Sequence, residues 1–274
     1  MKPALSVRIA EQPRRKDRIA VSFERLAALA AEAGFEGLSL RASVVAVDSD
    51  ASQRAQVREV LERHRLAASM VTGDLALAAN SAAAPQCLAD IEPYLDLAEA
   101  LGCDLLRVMV HGADDLKRLS LAADAAAARG MRLAQQCHWG SMAETVDDAL
   151  ALVDAVARSN VGITFEPANL MACGSDYQGD AVRRLGPHLA NVYFQNLRLA
   201  SESPVRFASR ARGDVGVEFL PLADGRGIDI GPVVEALRDV GYRGWFTVHQ
   251  PCLADQSVEE AVASAGRFVD RWLR

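Results

Sequence analysis

The sequence predicts a single closed (β/α)8 barrel spanning residues 1–274. Three observations carry that expectation. Eight short apolar runs alternate with eight longer amphipathic ones, the pattern of parallel strands joined by helical crossovers. A chain of 274 residues is the length that eight such units fill when the sheet closes. The stretch after the first run, RIAEQPRRKDR, lacks the glycine-rich phosphate turn that an open dinucleotide-binding sheet places there.

The expected strands are 5–10 (LSVRIA), 37–42 (GLSLRA), 67–73 (AASMVTG) and 105–110 (LLRVMV), then 132–137 (RLAQQC), 161–166 (VGITFE), 191–196 (NVYFQN) and 245–250 (WFTVHQ). Helices are expected near 22–33, 51–64, 86–101, 114–129, 142–158, 177–186, 230–240 and 257–273. Capping-box spacing marks three helix starts, Asp50 to Gln53, Ser141 to Glu144 and Ser257 to Glu260, because cap and third residue satisfy each other's orphan amides. Gly34, Gly102, Gly130 and Gly241 stand where glycine ends a helix. One connection, 197–229, is unusually long and carries Arg198, Arg206, Arg210, Arg212, Asp214 and Glu218. It reads either as a loop closing over substrate on the C-terminal face or as a solvated insertion.

Composition bounds the function. Half of the residues are hydrophobic, about a quarter are charged, and the net charge is −6 with no basic run; nothing here points to nucleic acid, and no nucleic-acid partner is expected. Cys87, Cys103, Cys137, Cys173 and Cys252 are odd in number and show no CxxC spacing, which points to a reduced, cytoplasmic chain. The apolar run at the N-terminus is too short for a signal peptide. No apolar segment approaches the ~18 residues of a membrane helix.

In a barrel the C-terminal ends of all strands face one mouth. By position these ends are Glu11; Ser39 and Arg41; Thr72; His111; Gln136 and His138; Glu166 and Asn169; Tyr193, Gln195 and Asn196; His249 and Gln250. Glu166 closes the apolar run VGITF just before Pro167, and His249 follows the apolar run WFTV. Both read as site residues, although every strand must eventually meet water. His111 and His138 read equally well as strand caps. His64 and His188 read as structural, and Cys137 and Cys173 as small packing residues.

The segments AAEAGFEGLSLRA, AEALGCDLLRVMV, GMRLAQQCH, NVGITFEPANL, LANVYFQNLR and LRDVGYRGWFTVHQ resemble the xylose isomerase-like TIM barrels. That superfamily holds sugar-phosphate isomerases and epimerases, with tagatose 3-epimerase-like and inosose dehydratase-like members. The resemblance implies a divalent metal held by Glu, Asp, His and Glu at the ends of strands five to eight. Here Gln136 stands at the first Glu position, Glu166 at the Asp, Tyr193 at the His and His249 at the last Glu. Asn169 stands where a substrate-contacting His often follows, and Ser39 replaces a Glu of the second strand. One carboxylate remains of three, which weakens any hard divalent site. Glu166, His249 and Gln136 remain the candidate ligands, suited at best to a softer ion such as Zn²⁺.

Three functions stay open at this point. The first is a divergent isomerase or epimerase-like enzyme acting on a sugar, polyol or related hydroxy-carbonyl compound by proton transfer. In it Glu166 is the base, assisted by His249, His111 and Tyr193, while Arg41, Gln136, His138, Asn169, Gln195 and Arg198 contact substrate. The second is a non-catalytic barrel that binds a small ligand or a partner. The third is a metal-independent lyase or cyclase on the same fold. Arg41 and the loop arginines suit a phosphate or carboxylate, or are plain surface charges. The resemblance also brings the expectation of homo-oligomers.

Overall fold

The computed structural model describes residues 1–12 and 15–274. The chain opens with β1 (Lys2–Ser6), a 3₁₀ turn (Val7–Ala10), and a hairpin of β2 (Glu11–Gln12) and β3 (Arg15–Ile19). It continues through α1 (Phe23–Glu32), β4 (Gly37–Leu40), α2 (Ala51–Arg63), β5 (Ala67–Val71) and α3 (Leu75–Ala79). Next come α4 (Glu92–Ala100), β6 (Leu105–Val108), α5 (Asp114–Ala128), β7 (Arg132–Gln136) and α6 (Val146–Val156). β8 (Val161–Phe165) runs directly into α7 (Pro167–Ala172), ahead of α8 (Gly179–Leu185) and β9 (Leu189–Phe194). Three short strands, β10 (Leu197–Leu199), β11 (Arg206–Ser209) and β12 (Gly213–Phe219), precede α9 (Gly231–Asp239), β13 (Trp245–Val248) and α10 (Val258–Leu273).

Eight strands close a parallel barrel in the ring order β1, β13, β9, β8, β7, β6, β5, β4. Their burial on both faces explains the near-continuous apolar runs. Helices form the outer layer, and α10 packs against both α1 and α9 to complete it. Phe268 of α10 stacks on Phe194 of β9 at 4.6 Å between centroids. The Ser257–Glu260 capping box is fully formed at the start of α10, and Asp50 caps α2 through the Gln53 amide at 2.7 Å. Gly34, Gly102, Gly130 and Gly241 all adopt positive φ, a conformation that a Cβ would strain. Among the described residues, no helix is long and apolar enough to cross a membrane.

Several boundaries differ from expectation. The first strand ends at Ser6, not near Glu11, because the Ser6 hydroxyl accepts from the Arg8 amide at 3.3 Å and turns the chain into a 3₁₀ turn. Arg8 thereby leaves the strand and reaches the mouth. The helix expected over 86–101 splits into a 3₁₀ turn (Ala84–Leu88) and α4, each with a proline in its first turn. The Ser141–Glu144 capping box does not form. Ser141 bonds the His138 carbonyl and the Ala143 amide, Thr145 caps α6 instead, and Glu144 is used elsewhere. Residues 197–229 are largely built structure, a three-stranded antiparallel sheet in the order β10, β12, β11. Helices α3 and α7 were not expected.

Gly162 of β8 sets how closely β9 approaches. A Cβ there would lie 2.8 Å from the Ala190 Cβ and 2.9 Å from the His188 carbonyl oxygen. Gly162→Ala should therefore overpack the barrel wall and remove about 1–3 kcal/mol of stability. The urea midpoint falls with an unchanged slope if this is right; an unchanged midpoint contradicts the close approach.

Candidate functional site

Pro167 opens α7, where its missing N–H is harmless and its fixed φ suits a helix. Glu166 becomes the residue before that helix but makes no capping bond. Its side chain turns into the barrel mouth and is completely buried. Gln195 donates Nε2–H to Glu166 Oε1 at 2.6 Å, and Asn169 donates Nδ2–H to Oε2 at 2.7 Å. Gln136 donates a third amide N–H to Oε2. Burial pushes the Glu166 carboxyl up to about 7, against the pull of the amide donors and of Arg8 and Arg107.

Cationic side chains gather around this centre. Arg8 donates to Gln195 Oε1 at 2.7 Å and to the His249 carbonyl at 3.0 Å. Arg41 is buried against Glu11 at 2.7 Å and also reaches the Ala78 carbonyl at 3.0 Å. Arg107 donates to the Leu77 carbonyl at 2.9 Å and to Asn80 Oδ1, while its Nε is buried without a partner among the described residues.

His249 stacks flat on Tyr193, with 4.0 Å between centroids and 3° between planes. The Tyr193 hydroxyl shares a 2.8 Å hydrogen bond with Ser39. His249 Nδ1 is buried and unpartnered among the described residues. Burial, then the positive charges of Arg8, Arg41, Arg107 and Lys16, hold this imidazole neutral well below its ordinary range. His138 is likewise kept neutral by burial and Arg107. Its Nδ1–H points to the Trp139 carbonyl at 2.7 Å, which leaves Nε2 to accept from Asn80 at 2.8 Å.

These groups enclose a chamber of about 60 Å³, room for about two waters. Its charged wall is Arg8, Lys16, Arg41 and Arg107. Gln136, Asn169 and Gln195 supply amides, and His138 and His249 supply imidazoles beside Trp139. A larger, shallow hollow of about 510 Å³ lies where the strands begin, beside Arg158 and Asn160. Barrel chemistry collects at the other end, so the small chamber is the candidate site.

Sequence-expected residues therefore divide. Arg41, Gln136, His138, Asn169, Gln195 and His249 line the chamber, whereas Glu166 and Tyr193 contact its lining from one layer behind. His111 does not line it, and its backbone N–H goes to the Asp115 carboxylate at 3.0 Å. Arg198 is ion-paired to Glu218 at 2.6 Å, half-exposed and outside the lining. Arg8, Lys16, Arg107, Asn80 and Trp139 were missed. Arg8 and Arg107 carried a signal, since each is a charge inside an apolar run, as Glu166 is. Lys16 carried none.

The expected ligands Gln136, Glu166 and His249 do not suit a divalent ion. Both Glu166 oxygens already accept amide N–H groups, and Arg8 and Arg107 add positive potential. Among the described residues no three His, Cys, Asp or Glu side chains converge on one point. A single carboxylate ringed by donors is the reverse of the oxygen-rich cage such ions need.

The long insertion touches the chamber wall at Trp139. Phe207 of β11 stacks on Trp139 at 3.9 Å between centroids. Glu144 latches the hairpin from below. Its buried carboxylate accepts from the Gly140, Arg210 and Ala211 amides at 2.6, 2.9 and 2.9 Å and from the Ser209 hydroxyl at 3.0 Å.

A family profile described as xylose isomerase-like TIM barrel matches residues 27–271. An inosose dehydratase of Geobacillus thermodenitrificans (strain NG80-2) is 28% identical over 139 residues, 49% of this chain and 44% of that protein. The match thus spans less than half the length of that relative. The structure of a D-psicose 3-epimerase determined in the presence of D-fructose superposes with a TM-score of 0.72 at 16% identity, covering 100% of this chain and 99% of that one. A xylose isomerase-like TIM barrel protein from Mycobacterium smegmatis, in complex with magnesium, gives a TM-score of 0.68 at 18% identity over 98% of this chain and 95% of that one. At such identities the structural likeness speaks for the fold alone.

Two outcomes follow from these contacts. The Glu166 carboxyl titrates near 7 when folded and near 4.5 when unfolded, so the folded state holds its proton longer. Stability from this group is greatest at low pH and is lost as pH rises toward 7. Against Glu166→Gln, the parent should lose about 2–3 kcal/mol between pH 5 and pH 8 in urea titrations; a constant difference contradicts the burial effect. Glu144→Ala should free the hairpin, so that trypsin cuts after Arg206, Arg210 or Arg212 about tenfold faster or more, the loss of one net hydrogen bond to a charged group. Unchanged cleavage would mean that the hairpin is held by something else.

Proposed function

The chain belongs to the xylose isomerase-like TIM barrel family, and on that premise we propose that it acts on a small hydroxy-carbonyl compound by removing a proton from the carbon next to the carbonyl. One observation carries this reading: a neutral imidazole, His249, whose buried Nδ1 is unbonded among the described residues, shares a small chamber with the cationic side chains of Arg8, Lys16, Arg41 and Arg107. Proton abstraction of this kind needs an acceptor and a positive counterpart for the oxygen that gains charge. His249 is the acceptor, its ring plane held by Tyr193. The buried arginines supply the counter-charge that a divalent ion supplies elsewhere, in a region where low dielectric strengthens it.

Glu166 is a positioning residue in this scheme, because it lies behind the chamber wall. It aligns the amides of Gln136, Asn169 and Gln195, which together with Arg41 and His138 bind substrate hydroxyls. The enolate formed by His249 is the common first product of isomerisation, epimerisation and dehydration. A relative named as a dehydratase and a solved structure named as an epimerase both fit that shared step. A second reading is a barrel that binds such a compound without turning it over. It is favoured by the complete satisfaction of the Glu166 oxygens by neutral donors.

The test is solvent-deuterium exchange, followed by NMR, at carbons next to the carbonyl in a panel of hydroxy-aldehydes, hydroxy-ketones and their acids. The parent should catalyse exchange in at least one compound, and His249→Ala should lower it about 10²–10⁴-fold without unfolding the chain. Treatment with a chelator should leave the rate unchanged. Exchange that survives in His249→Ala, or that chelation abolishes, contradicts the proposal. Binding with no exchange supports the second reading.

A further inference from the structure

We infer that the chamber receives an oxyanion, the carboxylate or phosphate group of the substrate, through Arg8, Lys16 and Arg107. The inference deepens the reading of the mouth as a small-molecule site and rests on it.

The argument is an inventory of charge. Four cationic side chains, Arg8, Lys16, Arg41 and Arg107, line the chamber. Two carboxylates, Glu11 and Glu166, lie near enough to act on them. Arg41 has a proper partner, since Glu11 accepts from its Nε at 2.7 Å. The other three cations make no carboxylate contact among the described residues. Arg8 is bonded to an amide oxygen and a backbone carbonyl, Arg107 to a backbone carbonyl and an amide oxygen, and Lys16 to the Ala78 carbonyl at 3.4 Å. Even with Glu166 fully ionised, the chamber holds an excess of two positive charges.

Arg107 is buried and Arg8 and Lys16 are half-buried; like charges so placed without carboxylate partners are costly, and a fold retains them where something else completes the set. The cost is visible in the groups themselves. Burial and mutual repulsion depress Arg8 and Arg107 to about 10 and Lys16 to about 8. A neutral sugar leaves that excess in place, and the charge that develops during proton transfer is a single, transient one. A permanent anion on the substrate offsets the excess before reaction begins.

Donor chemistry agrees. Among the described residues, Arg107 Nε is buried and unbonded, and the Lys16 ammonium has only one long contact. Guanidinium forks and an ammonium are the groups that recognise carboxylate and phosphate oxygens. A chamber of about 60 Å³ admits one compact group of that kind, not a whole sugar. Burial is the main reason His249 stays unprotonated, and the same anion would offset the second, the positive charge around it, and so raise its basicity.

Glycerate, glycerol 3-phosphate and glycerol share one carbon skeleton and separate the sources of the charge. Calorimetric titration of the full chain at pH 7 and low salt, with thermal shifts alongside, is the experiment. At least one of the two anions should bind at least tenfold more tightly than glycerol, weaken as salt rises, and lose at least tenfold affinity in Lys16→Met and in Arg107→Met. Preference for glycerate assigns a carboxylate, and preference for glycerol 3-phosphate assigns a phosphate. Lys16→Met should leave the thermal midpoint of the ligand-free chain unchanged or higher, because it removes an uncompensated charge and only one long contact. The inference is overturned if glycerol binds as well as both anions, if neither anion binds, or if both variants keep parental affinity. Because binding alone is read, loss of this inference leaves the deuterium-exchange result standing, and the converse also holds.

Discussion

A single buried carboxylate organises the barrel mouth. Among the described residues its oxygens meet no cationic hydrogen-bond donor; they accept from three side-chain amides, Gln136 at the end of β7, Asn169 in α7 and Gln195 just after β9. That choice propagates. Gln195, with its Nε2 committed to Glu166, presents Oε1 to Arg8, and Arg8 in turn holds the backbone carbonyl of His249. Gln136, committed in the same way, is left with a buried Oε1 that has no partner. The position of Arg8 therefore follows from how one carboxylate is hydrogen-bonded, whereas Arg41 is held by Glu11, and Lys16 and Arg107 by the backbone carbonyls of Ala78 and Leu77.

The departures from the family's ligand pattern make sense as a set. Ser39 and Tyr193, which stand where the resemblance placed a Glu and a His, now bond one another at 2.8 Å. Gln136, at the position of another Glu, donates to the remaining carboxylate instead of competing with it for an ion. His249, at the last Glu, lies flat on Tyr193. Three of these four changes, at Ser39, Gln136 and His249, remove negative charge from the mouth, while Arg8 enters it from the turn after β1 and Arg107 from β6. Positive potential is thus built into the chain, where a metal-binding barrel would borrow it.

Much of the fold was legible because it is written in local signals. Apolar runs of strand length, the Ser257–Glu260 box and the four helix-ending glycines each depend on neighbours within a few residues. The barrel order then follows from parallel connections. Glu166, Gln136 and His249 were legible for a related reason: closure of the cylinder turns strand ends into a shared site. What stayed hidden depends on long-range contact. The strand expected to run through Arg8 stops at Ser6 because of one side-chain bond, and only that stop swings Arg8 to the mouth. Glu144 has capping-box spacing, yet three backbone amides and a hydroxyl from a distant hairpin and a nearby turn outbid the helix for its carboxylate. His111 sits at a strand end like the others, but the Asp115 contact ties its backbone into the start of α5.

The central claim is that the mouth is a cationic, amide-ringed oxyanion site and not a metal cage. An anomalous difference map from crystals soaked in both manganese(II) and selenate addresses both halves at once. The account predicts a selenate peak within hydrogen-bond distance of Arg107 and Lys16, with Glu166 still bonded to its three amides. A manganese peak shared by Glu166 and His249, with the amides turned away, would contradict it.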